Sequence, residues 1–180
     1  IYTRDHEGLF AASAAALDQL NLSILDADII TNDDGFSYNT FIVLKQDNQP
    51  IGNDIEQILR IKNTLVEELD DPDDYSAIAQ RRTPRQLKLF AMPAHVVLST
   101  DPIRQITTME LTTSDRPGLL ARVGKVFLEC HIHLSKAHIV NVGARVEDVF
   151  FITDVQGLPI NDPALAERLQ KRICEVLDRQ

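Results

Sequence analysis

The chain contains itself twice, and that repeat limits what it can fold into more than any other feature. Sliding the sequence by 110 residues lays Asp5 on Asp115, Gly8 on Gly118, Leu9 on Leu119 and Ala11 on Ala121. The register persists through Ala27/Ala137 and Ile29/Ile139. It slips by one residue where Asp33-Asp34-Gly35 faces Gly143-Ala144, then resumes at Phe41/Phe150 and Pro50-Ile51/Pro159-Ile160. Self-similarity of this kind predicts two copies of one small domain, each of about 70 to 100 residues. The first unit is assigned to residues 1–100, with an internal linker loop at 70–86, and the second to 105–180. Domains this small bury little surface alone, so the pair is expected to share an interface.

Each unit reads as strand, helix, strand, hairpin, strand, helix. Ile1-Tyr2-Thr3 looks like the end of a strand whose beginning has been cut away, by comparison with Gln105 to Ser114. Leu9, Ser13, Ala16, Leu17 and Leu20 recur at helical spacing, as do Leu119, Leu120, Val123, Val126, Phe127 and Cys130. Leu22 to Asn32 alternates Leu25, Ala27, Ile29 against Ile24, Asp26, Asp28, and Ser135, Ala137, Ile139 alternate likewise with Leu134, Lys136, His138. Asn32-Asp33-Asp34-Gly35 predicts a tight hairpin turn, with Phe36 to Lys45 and Val146 to Asp154 as the returning strands. Asn53 with Glu56 predicts a capping box for a helix whose core face is Ile55, Ile58, Leu59, Leu65, Val66 and Leu69. Leu87 to Phe90 suggests a short strand, His95 to Ser99 is expected to complete the first domain, and Asp101-Pro102 to be the junction. Asp162-Pro163 caps the last helix, which turns Leu165, Leu169, Ile173, Val176 and Leu177 inward. No strand follows it, so an edge should be exposed unless the other repeat or a second chain covers it.

Ser114-Asp115-Arg116-Pro117-Gly118-Leu119-Leu120-Ala121, and its earlier copy Thr3 to Ala11, close a strand and open a helix. Asp can cap, Pro fits near a helix start, and Gly permits a sharp turn. Exposed amides at such a start can receive a carboxylate.

Those residues carry a resemblance. The Asp-Arg-Pro-Gly-Leu-Leu turn between strand and helix resembles the ACT domain, a ferredoxin-like βαββαβ module that binds amino acids. Thr113 to Phe127, with Val146-Glu147-Asp148-Val149-Phe150-Phe151-Ile152, resembles the carboxy-terminal ACT pair of the bacterial bifunctional uridylyltransferase/uridylyl-removing enzyme family. Arg4-Asp5 to Leu9-Phe10, with Tyr38-Asn39-Thr40-Phe41, is similar to its first repeat, departing at His6-Glu7. The implied fold is α+β: two ACT repeats, antiparallel sheets with helices on one face, the second lacking its last strand. The implied ligand is glutamine, held between the turn and the following helix-to-strand junction. That implies Asp115, Arg116, Pro117, Gly118, Leu119 and Leu120 with His131, Ile132 and His133 in the second copy. In the first copy it implies Asp5, His6, Glu7, Gly8, Leu9 and Phe10 with Asn21, Leu22 and Ser23. The second turn should be the better site, because Glu7 places a carboxylate where a ligand carboxylate would arrive. The resemblance also implies the PII signal protein as partner through upstream catalytic domains, which would use Mg2+ and UTP; no cofactor is implied for this stretch.

The remaining classes are excluded by what the residues lack. A net charge of −9 opposes a nucleic-acid partner. Hydrophobic residues make up 44% and charged residues 25%, an ordinary globular mixture, and no apolar run is long enough to span a bilayer. No leader pattern precedes the repeat, and Ile1 in place of Met suggests a fragment of a longer cytoplasmic protein. Cys130 and Cys174 read as reduced apolar fillers. No Gly-x-Ser-x-Gly, Gly-x-x-x-x-Gly-Lys or Gly-x-Gly-x-x-Gly motif occurs. Asp70 to Asp74 lacks the alternating ligands of a calcium loop. On a regular strand His133 and His138 would face opposite ways, so at most His131 and His133 could share a ligand, short of the three or four donors that zinc needs. Three functions stay open: a glutamine-sensing regulatory pair, a ligand-free oligomerisation or docking module, and an ACT module of another amino-acid-controlled enzyme. A homodimer or sheet pairing between the repeats would serve any of them.

Overall fold

The computed structural model describes residues 1–32, 34–70 and 92–178. The first repeat runs β1 (Tyr2–Arg4), α1 (Leu9–Gln19), β2 (Leu22–Thr31), β3 (Phe36–Lys45) and α2 (Ile55–Asp70). Then follow β4 (His95–Asp101), β5 (Ile106–Ser114), α3 (Leu119–Glu129), β6 (His133–His138), β7 (Asn141–Val142), β8 (Arg145–Thr153) and α4 (Pro163–Asp178). The strands form one antiparallel sheet in the order β1-β3-β2-β6-β8-β5-β4, with β7 on β8. Reading β1-β3-β2 beside β5-β8-β6 shows the same order twice, compatible with two ferredoxin-like ACT repeats. Alternation decides the buried face: Thr107, Met109, Leu111 and Thr113 of β5 and Val146, Asp148, Phe150 and Ile152 of β8 are buried. The helices pack in a row, α2 on α1, α1 on α3 and α3 on α4.

The repeats join at β2 and β6, where Ala27 lies opposite Ala137. These two positions are 110 residues apart and both fully buried, so a local two-fold axis passes between them. Side-chain contacts stitch the seam: His138 Nδ1 lies 2.5 Å from Asp26 Oδ1, and Lys136 Nζ forms an ion pair with Asp28 Oδ1 at 2.7 Å. Partly exposed pairs of this kind add little to stability. Close packing of α1 on α3 matters more. α1 is alanine-rich and buried without a break from Leu9 to Leu17, so the expected single stripe understates its burial. A Cβ on Gly124 of α3 would sit 2.9 Å from Ala11 Cα.

Each repeat carries one β-bulge, at Leu25 in β2 and at Ser135 in β6, again 110 residues apart. The extra residue reverses the inward and outward phases along each strand. Leu22, Ile24 and then Ala27 are buried in β2, as Ile132 and then Ala137 are around β6. His133 and His138 pair with Thr153 and Val149, so both lie on the open face, and the expectation of opposite faces is corrected.

Further expectations change. β4 does not complete the first unit; it pairs with β5 along its whole length, His95 with Thr112 through Asp101 with Ile106. Asp101 is a turn rather than a domain junction: its Oδ1 accepts the amides of Ile103 at 2.9 Å and Arg104 at 3.0 Å, which bends the chain back at once. The edge beside β5, expected to be covered by the other repeat or a second chain, is covered by β4, which the sequence assigns to the first unit, and α4 packs on β4. α2 packs chiefly on α1. Ile61 and Leu65 face the core while Ile55, Ile58, Leu59 and Val66 stay exposed, against the predicted stripe. Its capping residue is Asp54, whose Oδ1 accepts the Gln57 amide at 3.1 Å. Leu169, Ile173 and Leu177 of α4 are buried as expected. The suggested linker and the strand at Leu87 to Phe90 lie outside the described residues.

If the α1–α3 contact holds the repeats together, Gly124→Val destabilises the chain by about 1–3 kcal/mol through overpacking. Chemical denaturation measures it; an unchanged midpoint would show that the helices separate freely.

Candidate functional site

The two strand-to-helix turns are built alike. The amide of Asp5 donates to Gly35 O and that of Asp115 to Ala144 O, each at 2.9 Å, fixing the turn to the hairpin beside it. Gly8 and Gly118 then take left-handed conformations, φ 87° and 72°, at the N-cap positions of α1 and α3. Neither helix has a side-chain cap. The expected aspartate cap is therefore absent; Asp5 instead accepts Thr31 Oγ1 at 3.0 Å. Pro117 precedes the cap. The amides of Leu119 and Arg122 are satisfied by Arg116 O and Gly118 O. Leu120 and Ala121 have no carbonyl four residues back within the helix, so their amides suit an anion.

The helix-to-strand junctions also match. Asn21 and His131 both adopt positive φ, 54° and 56°. The amides of His131 and Ile132 close α3 onto Leu128 O and Phe127 O at 3.1 and 2.8 Å. Sequence reasoning placed each junction beside the turn of its own repeat, and the structure exchanges them. A cavity of about 550 Å3 joins Asp115 to Ala121 with Asn21, Leu22, Ser23 and Ile24 of the first repeat, together with Asp18 and Asp148. A second, of about 330 Å3, joins Asp5, His6, Glu7, Gly8, Leu9, Phe10 and Ala11 with His131, Ile132, His133 and Leu134. The cause is the seam: β2 and β6 run in opposite directions about Ala27 and Ala137, carrying the start of each strand to the other repeat's turn. Both volumes suit a small metabolite.

Charge distinguishes the two cavities. Asp148 is only 1% exposed, and neither carboxylate oxygen has a hydrogen-bond partner. Burial pushes its pKa up to about 7; the nearby Val140 backbone partly opposes this without completing a hydrogen bond, and the charge of Asp115 adds to it. Burial, with Asp18 nearby, also raises Asp115. Arg122 is lowered, first by burial and then by Arg116, whose guanidinium donates to Leu177 O at the end of α4. Asp148 is the residue that sequence reasoning missed. Its signal was a carboxylate in the apolar phase of β8, between Val146 and Phe150. Its counterpart Asn39 is also buried, but Ser37 Oγ donates to Asn39 Oδ1 at 2.6 Å. In the smaller cavity Glu7 Oε1 approaches His131 Nδ1 at 4.0 Å, the two side chains being largely exposed. Among the described residues no three His, Cys, Asp or Glu side chains converge as a metal site, and no helix is long and apolar enough to cross a membrane.

Along 179 residues, 99% of its length, the chain is 49% identical to the bifunctional uridylyltransferase/uridylyl-removing enzyme of Pseudomonas aeruginosa. The chain is homologous to a part of this enzyme. It is 50% identical over 177 residues to the enzyme so named in Pseudomonas fluorescens, and 48% over all 180 to that of Stutzerimonas stutzeri. In each case it spans about one fifth of the relative's length (20%), consistent with a carboxy-terminal part of the uridylyltransferase/uridylyl-removing enzyme. No protein-family model matches the chain, and no solved structure does. Homology to that part supports a regulatory role within the enzyme.

The buried carboxyl of Asp148 yields a pH-dependent prediction. Its folded-state pKa of about 7 lies above the ordinary 3.8, so between these values the folded chain holds a proton that the unfolded chain has lost. Stability therefore falls as pH rises through this window and stays reduced above it, by at most about 4 kcal/mol. Asp148→Asn should raise the melting temperature at pH 8 and converge on the parent near pH 4, as read by thermal unfolding across pH.

Proposed function

We propose that this chain is the glutamine-sensing regulatory module of a uridylyltransferase/uridylyl-removing enzyme. Glutamine would settle between the repeats, its carboxylate at the α3 start, and stabilise one arrangement of the pair. Occupancy would favour removal of uridylyl groups from the PII signal protein, and vacancy their transfer, both performed in the cytoplasm by catalytic domains that also hold UTP and Mg2+. One observation carries this reading: each cavity takes a helix-start turn from one repeat and a helix-to-strand junction from the other. A ligand there touches both repeats, so its binding energy bears on their relative arrangement. The docking alternative draws on an open sheet edge; β4 covers the one beside β5, and β1 and β4 are the outer strands.

Calorimetric titration with the twenty amino acids tests the reading. Saturable binding of glutamine alone is expected; another amino acid in its place would assign the chain a different signal, and no binding would remove the sensor role. Gly118→Asn should weaken glutamine binding at least tenfold, about 1.4 kcal/mol. Asn tolerates the left-handed conformation, so the turn persists while a side chain enters the ligand's space. Equal affinity of variant and parent would take this turn out of the site.

A further inference from the structure

We infer that Asp148 is the counter-ion for a primary ammonium group in the larger cavity, which makes that cavity selective for amino acids over their deaminated analogues. The inference rests on the ligand-sensing reading above and adds which chemical group the cavity requires. Asp148 occupies the buried phase of β8, where its neighbours in that phase, Val146, Phe150 and Ile152, are apolar. A carboxylate there is costly unless something donates to it, yet both of its oxygens lack a hydrogen-bond partner. It also lines the larger cavity, so a ligand bound there lies beside it.

The surroundings specify that partner's chemistry. Three carboxylates, Asp18, Asp115 and Asp148, line the cavity with one guanidinium, that of Arg116, so the balance of charge there favours a cation. These carboxylates do not converge as a metal site. An ammonium group offers three N–H donors on a compact head, enough to satisfy Asp148 and a second acceptor. The amides of Leu120 and Ala121 at the start of α3 suit the opposite charge, so the cavity as a whole fits a zwitterion. In the first repeat the matching position is Asn39, neutral and already bonded by Ser37. Asn39 does not line the smaller cavity, whose carboxylates are those of Asp5 and Glu7, so the two cavities differ chemically despite their shared backbone geometry.

Calorimetry on the 180-residue chain and on Asp148→Asn decides the matter, using glutamine, the other nineteen amino acids, and glutaramate, which is glutamine with hydrogen in place of the ammonium. The variant keeps the side-chain shape and matches what stands at Asn39, and circular dichroism confirms its fold. Glutamine is expected to bind the parent and to lose at least tenfold in affinity in the variant. Glutaramate should bind the parent at least tenfold more weakly than glutamine and be indifferent to the substitution. If a different amino acid binds and shows the same dependence on Asp148, the glutamine assignment fails and the inference stands. It is overturned if no amino acid binds the parent, if Asp148→Asn binds as tightly as the parent, or if glutaramate matches glutamine.

Discussion

Everything in this molecule depends on the antiparallel pairing of β2 with β6 at Ala27 and Ala137. Two alanines can face each other there because nothing larger separates the strands, and both are fully buried. The pairing merges two half-sheets into one, and it brings α1 against α3, where Gly124 and Ala11 allow near-contact of the backbones. Without it each repeat would be a small domain with an open strand at β2 or β6. The contacts of His138 with Asp26 and of Lys136 with Asp28 fix the register more than they supply energy, since a one-residue slip would set each side chain against the wrong face.

The same pairing creates the candidate sites. A turn alone offers amides, and a junction alone offers a left-handed Asn or His; neither encloses anything. Bringing a turn from one repeat to a junction from the other produces walls on both sides. Two sites then follow from one symmetry, but the side chains within them differ. Asp148 and the carboxylates around it belong to the larger, while Glu7 and His131 face each other across the smaller. Chemistry has diverged where geometry has not.

Much of this was legible in the sequence because it depends on local residues. Gly35 takes a positive φ and its amide donates to Asn32 O, and the Asp162 cap accepts the Ala164 amide at 3.0 Å. All the candidate ligand residues line one cavity or the other. What the sequence could not convey was non-local. The bulges at Leu25 and Ser135 leave no composition signal, so the strand phases beyond them were misread. Asp101-Pro102 looked like a domain junction because Asp and Pro suit both junctions and tight turns, and only pairing partners distinguish the two. The exchange of junctions between repeats follows from the symmetry axis, which depends on which strands meet. Asp148 broke the apolar alternation of β8 in plain view, but its meaning required knowing what it faces.

The central claim is that one ligand touches both repeats at once. Amide chemical shifts followed by NMR during a glutamine titration test it most directly. The account predicts that Leu120 and Ala121 of the second repeat and Leu22 to Ile24 of the first shift together, with one shared saturation curve. Shifts confined to residues of a single repeat, or separate curves for the two groups, would contradict it.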